Sequence, residues 1–550
     1  MPEAGDGRKE GKMGMITGQN PILYTDYPDP DVIRVGDTYY MVSTTMHFMP
    51  GGVILRSYDL IHWEHASYVY DVLEDTPGQR LADEKGVYGK GMWAATLRYH
   101  KDTFYVCFVA NDTGKTYLYT AKDITGPWKK SYIEGFYHDS SLLFDDDGRV
   151  YITYGNREIY ITELNEDLTA PKEGGLHRMA VKDMGDVILG YEGTHFYKIN
   201  GKYYLFFIHW PRNGLRTEAC FCADSLLGEF TGGDVLTSDL DGRHSGVAQG
   251  GIVDTPEGDW YSIMFQDHGA VGRIPVLVPV TWENDFPVFG ENGVAPKEVS
   301  VKSTRPDYVY EPLWCDDDFV YTPEADGKIT LKNPWQWNHI PENSLWSVTE
   351  NPGTLRIRSG KLSKNLVHAS NTLTQRTVGP KCGAEVTLCG RELKDGDFAG
   401  LCTLQGDYGF IALTKKAGQM YLAMGEKKPT EGYAGMGSVD TEPAKIVAKI
   451  PVSCDTVTLR ADCDFSLGMD TAEFYFKEKT AGKDAEFAKL GDTHELFFRL
   501  DHFVGSRFGL FLFSTEEAGG VAEFSDFRHR TEEELQETFC ADAAERKLSR

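Results

Sequence analysis

A chain of 550 residues, 41% hydrophobic and 12% aromatic, has material for two to four packed domains. Its net charge of −27 argues against nucleic acid and anionic membrane as partners, because both are held by basic patches. No apolar run reaches the length of a membrane span. The 58 Gly beside 29 Tyr and 29 Phe favour turns and strands, and so an all-β protein.

Residues 1–19, MPEAGDGRKEGKMGMITGQ, lack the apolar core of a secretory signal and read as a disordered leader, with Met13 or Met15 as alternative starts. The ten Cys have no metal-ligand spacing, and Cys220 and Cys222 would face one side of a strand as a buried pair. Free thiols without a signal peptide predict a reducing cytoplasm. Self-association into a homo-oligomer is compatible with the sequence.

From residue 20 onward one pattern recurs: a hydrophobic strand, a Gly/Asp/Asn turn, then an aromatic-rich strand. The copies are RVGDTYYMVS, RYHKDTFYVCF, FDDDGRVYITY, YKINGKYYLFF and DTPEGDWYSIMF, each a hairpin signature. Tyr39, Phe104, Tyr151, Tyr203 and Trp260 follow one another at 65, 47, 52 and 57 residues. A four-stranded propeller blade takes roughly 40–50 residues, so 20–305 reads as five blades around a channel. The run Asp145, Asp146 and Asp147 reads as an acidic turn.

Ten to twelve residues before each aromatic stand Asp29, Trp93, Asp139, Glu192 and Gln249. Equivalent positions in successive blades converge on the channel axis, which gathers three carboxyls, an indole and an amide. Asp29 lies in YPDPD, where Pro28 and Pro30 restrict the backbone and aim the side chain. Asp31 alternates to the other side and reads as a turn cap. Paired carboxyls across a pocket are what glycoside hydrolysis needs. Asp29, short and rigid, suits the base that activates water. Glu192, longer and among apolar neighbours, suits the general acid. Asp139 would be a third charge that keeps Glu192 protonated and orients it, or else a plain hairpin cap.

YPDPD, HDSSLLFDDDG, EGTHFYK and GRIPVLVPVTWENDFP, in that order from about Asn20 to Ser300, resemble glycoside hydrolase family 43, the inverting β-xylosidases and α-L-arabinofuranosidases. The resemblance implies Asp29 as general base, Asp139 as modulator of the acid and Glu192 as general acid. It also implies Arg273 and Trp93 in the pocket for the terminal sugar. Many members carry a histidine, near calcium or a water cluster, where Gln249 stands. The chemistry itself requires no cofactor, and the resemblance leaves a structural calcium open. Where many β-xylosidases have an aromatic at the position of Thr45, Phe48 is the replacement expected to touch sugar.

After a linker at 306–314, the runs TLRIRSG, GAEVTL, GFIALTK, MYLAMG, DTVTLRAD, AEFYFKE and RFGLFLFS alternate as short strands, so 315–530 reads as a β-sandwich. DDFVYTPEADGK, NPWQWNHIPENSLWSV and NTLTQRTVGPKCGAEVTL resemble the concanavalin-A-like C-terminal domain of the family's β-xylosidases, a domain that can place a loop at the active-site mouth. Trp335, Trp337 and Trp346 read as core, with a sugar-stacking face as the alternative. Thr531 and Glu534 form a capping-box pattern that opens a short helix over 531–550.

The leading expectation is an inverting exo-glycosidase acting on terminal xylosyl or arabinofuranosyl residues of an oligosaccharide. A galactose-releasing relative, a retaining fructan or sucrose hydrolase on the same fold, and a non-catalytic sugar-binding propeller are the competing readings.

Overall fold

The computed structural model describes residues 14–535 apart from 84, 429–441, 479–485 and 501. Most of the expected leader, and the expected terminal helix beyond residue 535, lie outside the described residues. Five four-stranded antiparallel sheets follow in chain order over 31–70, 92–133, 141–182, 187–236 and 248–289. Each predicted hairpin forms the first two strands of a blade. The turns obey local chemistry. Asn200 (φ 51) and Gly201 (φ 82) supply the two left-handed residues of a tight hairpin, as do Lys101 (φ 47) and Asp102 (φ 55).

The innermost strands are Asp31–Val35, Met92–His100, Ser141–Phe144, Val187–Ile199 and Ala248–Asp254. Each packs against the next, and the fifth returns onto the first, closing the ring. Asp31 is at the centre of the polar network that joins them, not at a turn. It is fully buried and accepts from Arg98 Nη1 at 2.7 Å and Leu97 N at 2.8 Å, with His195 Nδ1 at 3.2 Å. Arg98 continues to Leu142 O and the Ser141 hydroxyl. Burial would push the Asp31 carboxyl up, but Arg98 and His195 outweigh it and bring it down to about 2. Asp31 is no turn cap because both faces of this innermost strand pack against neighbouring blades at its start, where Asp31 and Val32 are buried.

Part of the expected leader is ordered. Met15–Gln19 pairs antiparallel with Glu298–Lys302, clasping the start of the propeller to its end. Asn20, next in the chain, bonds Leu277 N and O and Pro296 O. The polar MITGQ strand is stabilised by a partner almost 300 residues away, so nothing local marked it.

Two eight-stranded sheets form the C-terminal sandwich. One of them ends on the propeller, where Gln336–Asn338 pairs with Phe48–Met49 between strands of the first blade. Trp335 and Trp337 are buried in the core, and Trp346 packs on Trp337 with ring centroids 5.0 Å apart. Cys220 is buried and Cys222 half-buried. At the C-terminal edge the Thr531 N–H donates to Glu534 Oε2 at 2.9 Å. Among the described residues no helix is long and apolar enough to cross a membrane.

Candidate active site

Asp29, Trp93, Asp139, Glu192 and Gln249 all line one cavity of about 200 Å³, together with Arg273. The five positions that the repeat points at the channel axis thus meet at one cavity. Three of them share a backbone peculiarity: Asp29, Asp139 and Gln249, in blades one, three and five, have φ of 50, 47 and 57. This left-handed region is uncommon for residues other than Gly, and Asn and Asp tolerate it best. Asp29 thus departs from the extended conformation to which a following proline biases a residue. It is held by partners instead: Pro28 O accepts from the Ser43 hydroxyl (2.7 Å) and Thr44 N (3.1 Å).

Asp29 is 4% exposed. Its Oδ1 accepts from Arg273 Nη1 at 2.7 Å and its Oδ2 from the Thr44 hydroxyl at 2.8 Å. Burial pushes its carboxyl up against the pull of Arg273 and Thr44. Arg273 is fixed in turn by Asp267 Oδ1 at 3.2 Å and by two rings, with its guanidinium carbon 4.4 Å from the centre of Phe265 and 4.1 Å from that of Phe503. Arg216, also lining the cavity, is neutralised by Asp267.

Asp139 and Glu192 share His138. Its Nε2 faces Glu192 Oε2 at 3.3 Å and its Nδ1 faces Asp139 Oδ1 at 3.7 Å. Asn156 Nδ2 also donates to Glu192 Oε2. The Thr194 hydroxyl and N–H both reach Asp139 O, at 2.7 and 3.2 Å, tying the two acid-bearing segments together. Burial would push the His138 imidazole down, but Asp139, Glu192 and Asp29 outweigh it and take it up to about 9. Burial, with the charges of Glu192 and Asp29, takes the Asp139 carboxyl up to about 7 against His138 and the Gly193 N–H.

Arg273 answers Asp29 and Arg216 answers Asp267. Asp139 and Glu192 have one imidazolium between them, so one proton on the pair brings the group to neutrality. A carboxyl pair holding one proton opposite a clamped carboxylate can donate to a leaving oxygen on one side and accept from water on the other.

Calcium takes six to eight oxygen ligands. Around Gln249 the chain offers one amide and Glu218, whose carboxyl burial pushes well above the usual range. Asp31, against Gly251 in the same channel, is already paired with Arg98. These side chains supply few of the oxygens that calcium takes. His138, Asp139 and Glu192 carry metal-capable atoms within 4.8 Å of one another. There the His138 imidazole, raised to about 9, faces both carboxyls.

One expected sugar contact is corrected. Phe48 is fully buried, capped by Arg507 with the guanidinium carbon 3.5 Å from its ring centre, and packs behind Phe503. The strand pairing with Gln336–Asn338 draws it under the sandwich. Phe503 and Leu500, from the sandwich, line the cavity instead, and Phe503 also meets Trp93 with centroids 5.5 Å apart. His138 was legible in principle, as a titratable neighbour of a channel aspartate. Asn156, Thr44, Leu500 and Phe503 carried no local signal.

A five-bladed propeller whose channel mouth gathers three carboxyls, an arginine and an indole in a cavity for a small polar ring is a glycoside hydrolase. Comparison with known proteins places it further. The profile of glycosyl hydrolases family 43 matches residues 18–287, and that of the β-xylosidase C-terminal concanavalin A-like domain matches 328–530. The chain belongs to glycosyl hydrolase family 43. It is 26% identical to a β-xylosidase of Formosa agariphila over 94% of this chain and 91% of that one. It is 29% identical to a non-reducing end α-L-arabinofuranosidase of Bacteroides ovatus, over 62% of this chain and 65% of the other. A solved structure described as a bifunctional GH43-CE protein from Bacteroides eggerthii superposes with a TM-score of 0.84 at 39% identity. The match covers 93% of this chain but only 63% of that longer one.

Proposed function

We propose that the protein is an inverting exo-glycosidase that releases terminal β-xylosyl residues from xylo-oligosaccharides. In this reading Asp29 is the general base, Glu192 the proton donor and Asp139 its charge partner. The cavity carries the reading. At about 200 Å³ it is below the roughly 300–1,000 Å³ of sites for drug-sized ligands, and Phe503 and Leu500 wall it from the sandwich side. That suits one terminal ring and not the interior of a chain. Similarity to a β-xylosidase over nearly the whole length supports xylose. The Bacteroides ovatus relative makes arabinofuranose the second reading. A panel of nitrophenyl glycosides tests the choice: turnover of the β-xyloside is expected, and turnover of the α-L-arabinofuranoside alone would replace xylose with arabinose. The nine cysteines among the described residues are all free thiols, which supports a reducing compartment.

Inversion is expected at the anomeric carbon, because the Asp29 carboxylate is clamped and has lone pairs left for a water. Proton NMR of the first product formed checks this, and a retained anomer would reject Asp29 as a base.

A pH effect is also expected. The carboxyl pair needs one proton, and burial with the charges of Glu192 and Asp29 holds the Asp139 carboxyl above the usual carboxylate range, so activity falls on the alkaline side as the pair loses that proton. Asp139→Asn removes the negative charge that helps the pair hold that proton. The proton is then lost at lower pH, and the alkaline limb moves down. The limbs belong to the pair, so the direction of the shift is the test. An unmoved limb with merely reduced activity would make Asp139 positional.

A further inference from the structure

The fourth blade carries a second carboxyl in the same cross-strand row as Glu192. Glu192 is in register with Ile208 on the next strand, and Ile208 with Glu218 on the strand after that. Register partners in a sheet point to the same face, so Glu218 lies behind Glu192 with Ile208 between them. Glu192 opens on the cavity, whereas Glu218 is 0% exposed. The only hydrogen bond to its carboxyl among the described residues comes from the backbone N–H of Gln249, 2.7 Å from Oε2. Among the described residues Oε1 has no hydrogen-bond partner and no cation pairs with Glu218, a buried acid outside the proposed reaction.

What it holds is a strained piece of the neighbouring blade. Gln249 has φ 57 and sits where the register of the fifth blade's innermost strand slips, between Ala248 and Gly251. The Gln249 side chain then lies flat on Gly193, the residue that follows Glu192. A Cβ at Gly193 would stand 2.6 Å from Cδ and 2.8 Å from Nε2 of Gln249. Contact thus runs from the Glu218 carboxyl to the Gln249 N–H, from the Gln249 side chain to Gly193, and from there to Glu192.

We propose that Glu218 is a positioning residue that holds Glu192 in its donating geometry through the Gln249 turn. The proposal rests on Glu192 being the proton donor. Glu218 needs only an acceptor for the Gln249 N–H, which a neutral carboxyl supplies. A buried, unpaired carboxylate would be far costlier, and burial does push this carboxyl well above the usual range.

The test uses the full-length enzyme with three variants: Glu218→Gln, Glu218→Met and, as a control, Glu192→Gln. Each is assayed on xylobiose and on dinitrophenyl β-xyloside. Glu218→Gln keeps a carbonyl for the Gln249 N–H and should retain kcat. Glu218→Met fills the space without an acceptor. It should lower kcat on xylobiose by about 10²-fold, the effect of a misplaced catalytic group, with KM little changed and a much smaller loss on the activated substrate. Equal losses on both substrates, or a Gln variant as impaired as the Met variant, would overturn the proposal while leaving Glu192 as donor. A Glu192→Gln control that fails to discriminate between the substrates would overturn the reading on which it rests. Should Glu218→Met not fold, Glu218→Leu, smaller and likewise without an acceptor for the Gln249 N–H, should show the same selective loss on xylobiose. Equal losses there would likewise overturn the proposal.

Discussion

Glu192→Gln should lower turnover of xylobiose by about 10²–10⁴-fold and leave a dinitrophenyl xyloside nearly unaffected. The variant is a clean probe because the local bonding does not need the acid. Glu192 Oε2 accepts from Asn156 Nδ2 and faces His138 Nε2 at 3.3 Å, and the carbonyl of a glutamine can take both. Only the transferable proton disappears. A sugar leaving group requires that proton, whereas dinitrophenolate departs without it. The steady-state ratio of the two activities is the measurement. If both fall together, Glu192 binds or shapes the cavity and the donor must be sought elsewhere, with Asp139 the first candidate because it shares His138.

The propeller was legible because its signal is local and repeated. A hairpin such as YKINGKYYLFF states its strands and its turn in eleven residues, and five copies define a ring. The same repeat placed five cavity residues, since equivalent positions in a closed ring must face one axis. What escaped depends on contacts distant in sequence. Phe503 closes on Arg273 from a second domain, and no spacing relates the two. Phe48 has a composition suited to sugar stacking but is drawn under Arg507 by a strand pair that joins residues nearly 300 apart. Asp31 shows a different limit. Alternation separates two faces of a strand, but it says which one meets solvent only if one of them does. Around a propeller axis neither does, and the residue read as a cap joins three blades through Arg98 and His195.

This distinction between local and distant contacts bears on the second large effect, expected from Asp29→Asn. Two of the carboxylate's acceptor positions are taken by Arg273 and Thr44, and a carboxylate has about four. The others are left for a water, and burial raises the basicity of the group that must deprotonate it. An asparagine can still turn its oxygen to Arg273 and its amide to the Thr44 hydroxyl, which can accept. Asp267 continues to hold the arginine, so the fold should survive. The base does not. A loss of about 10²–10⁴-fold is expected on xylobiose and on the dinitrophenyl xyloside alike, because water must be activated whatever leaves. Azide, already an anion and small enough for the cavity, should restore turnover of the dinitrophenyl substrate and give a glycosyl azide of inverted configuration. Rescue without inversion, or a loss confined to the poorer leaving group, would move Asp29 out of the base role.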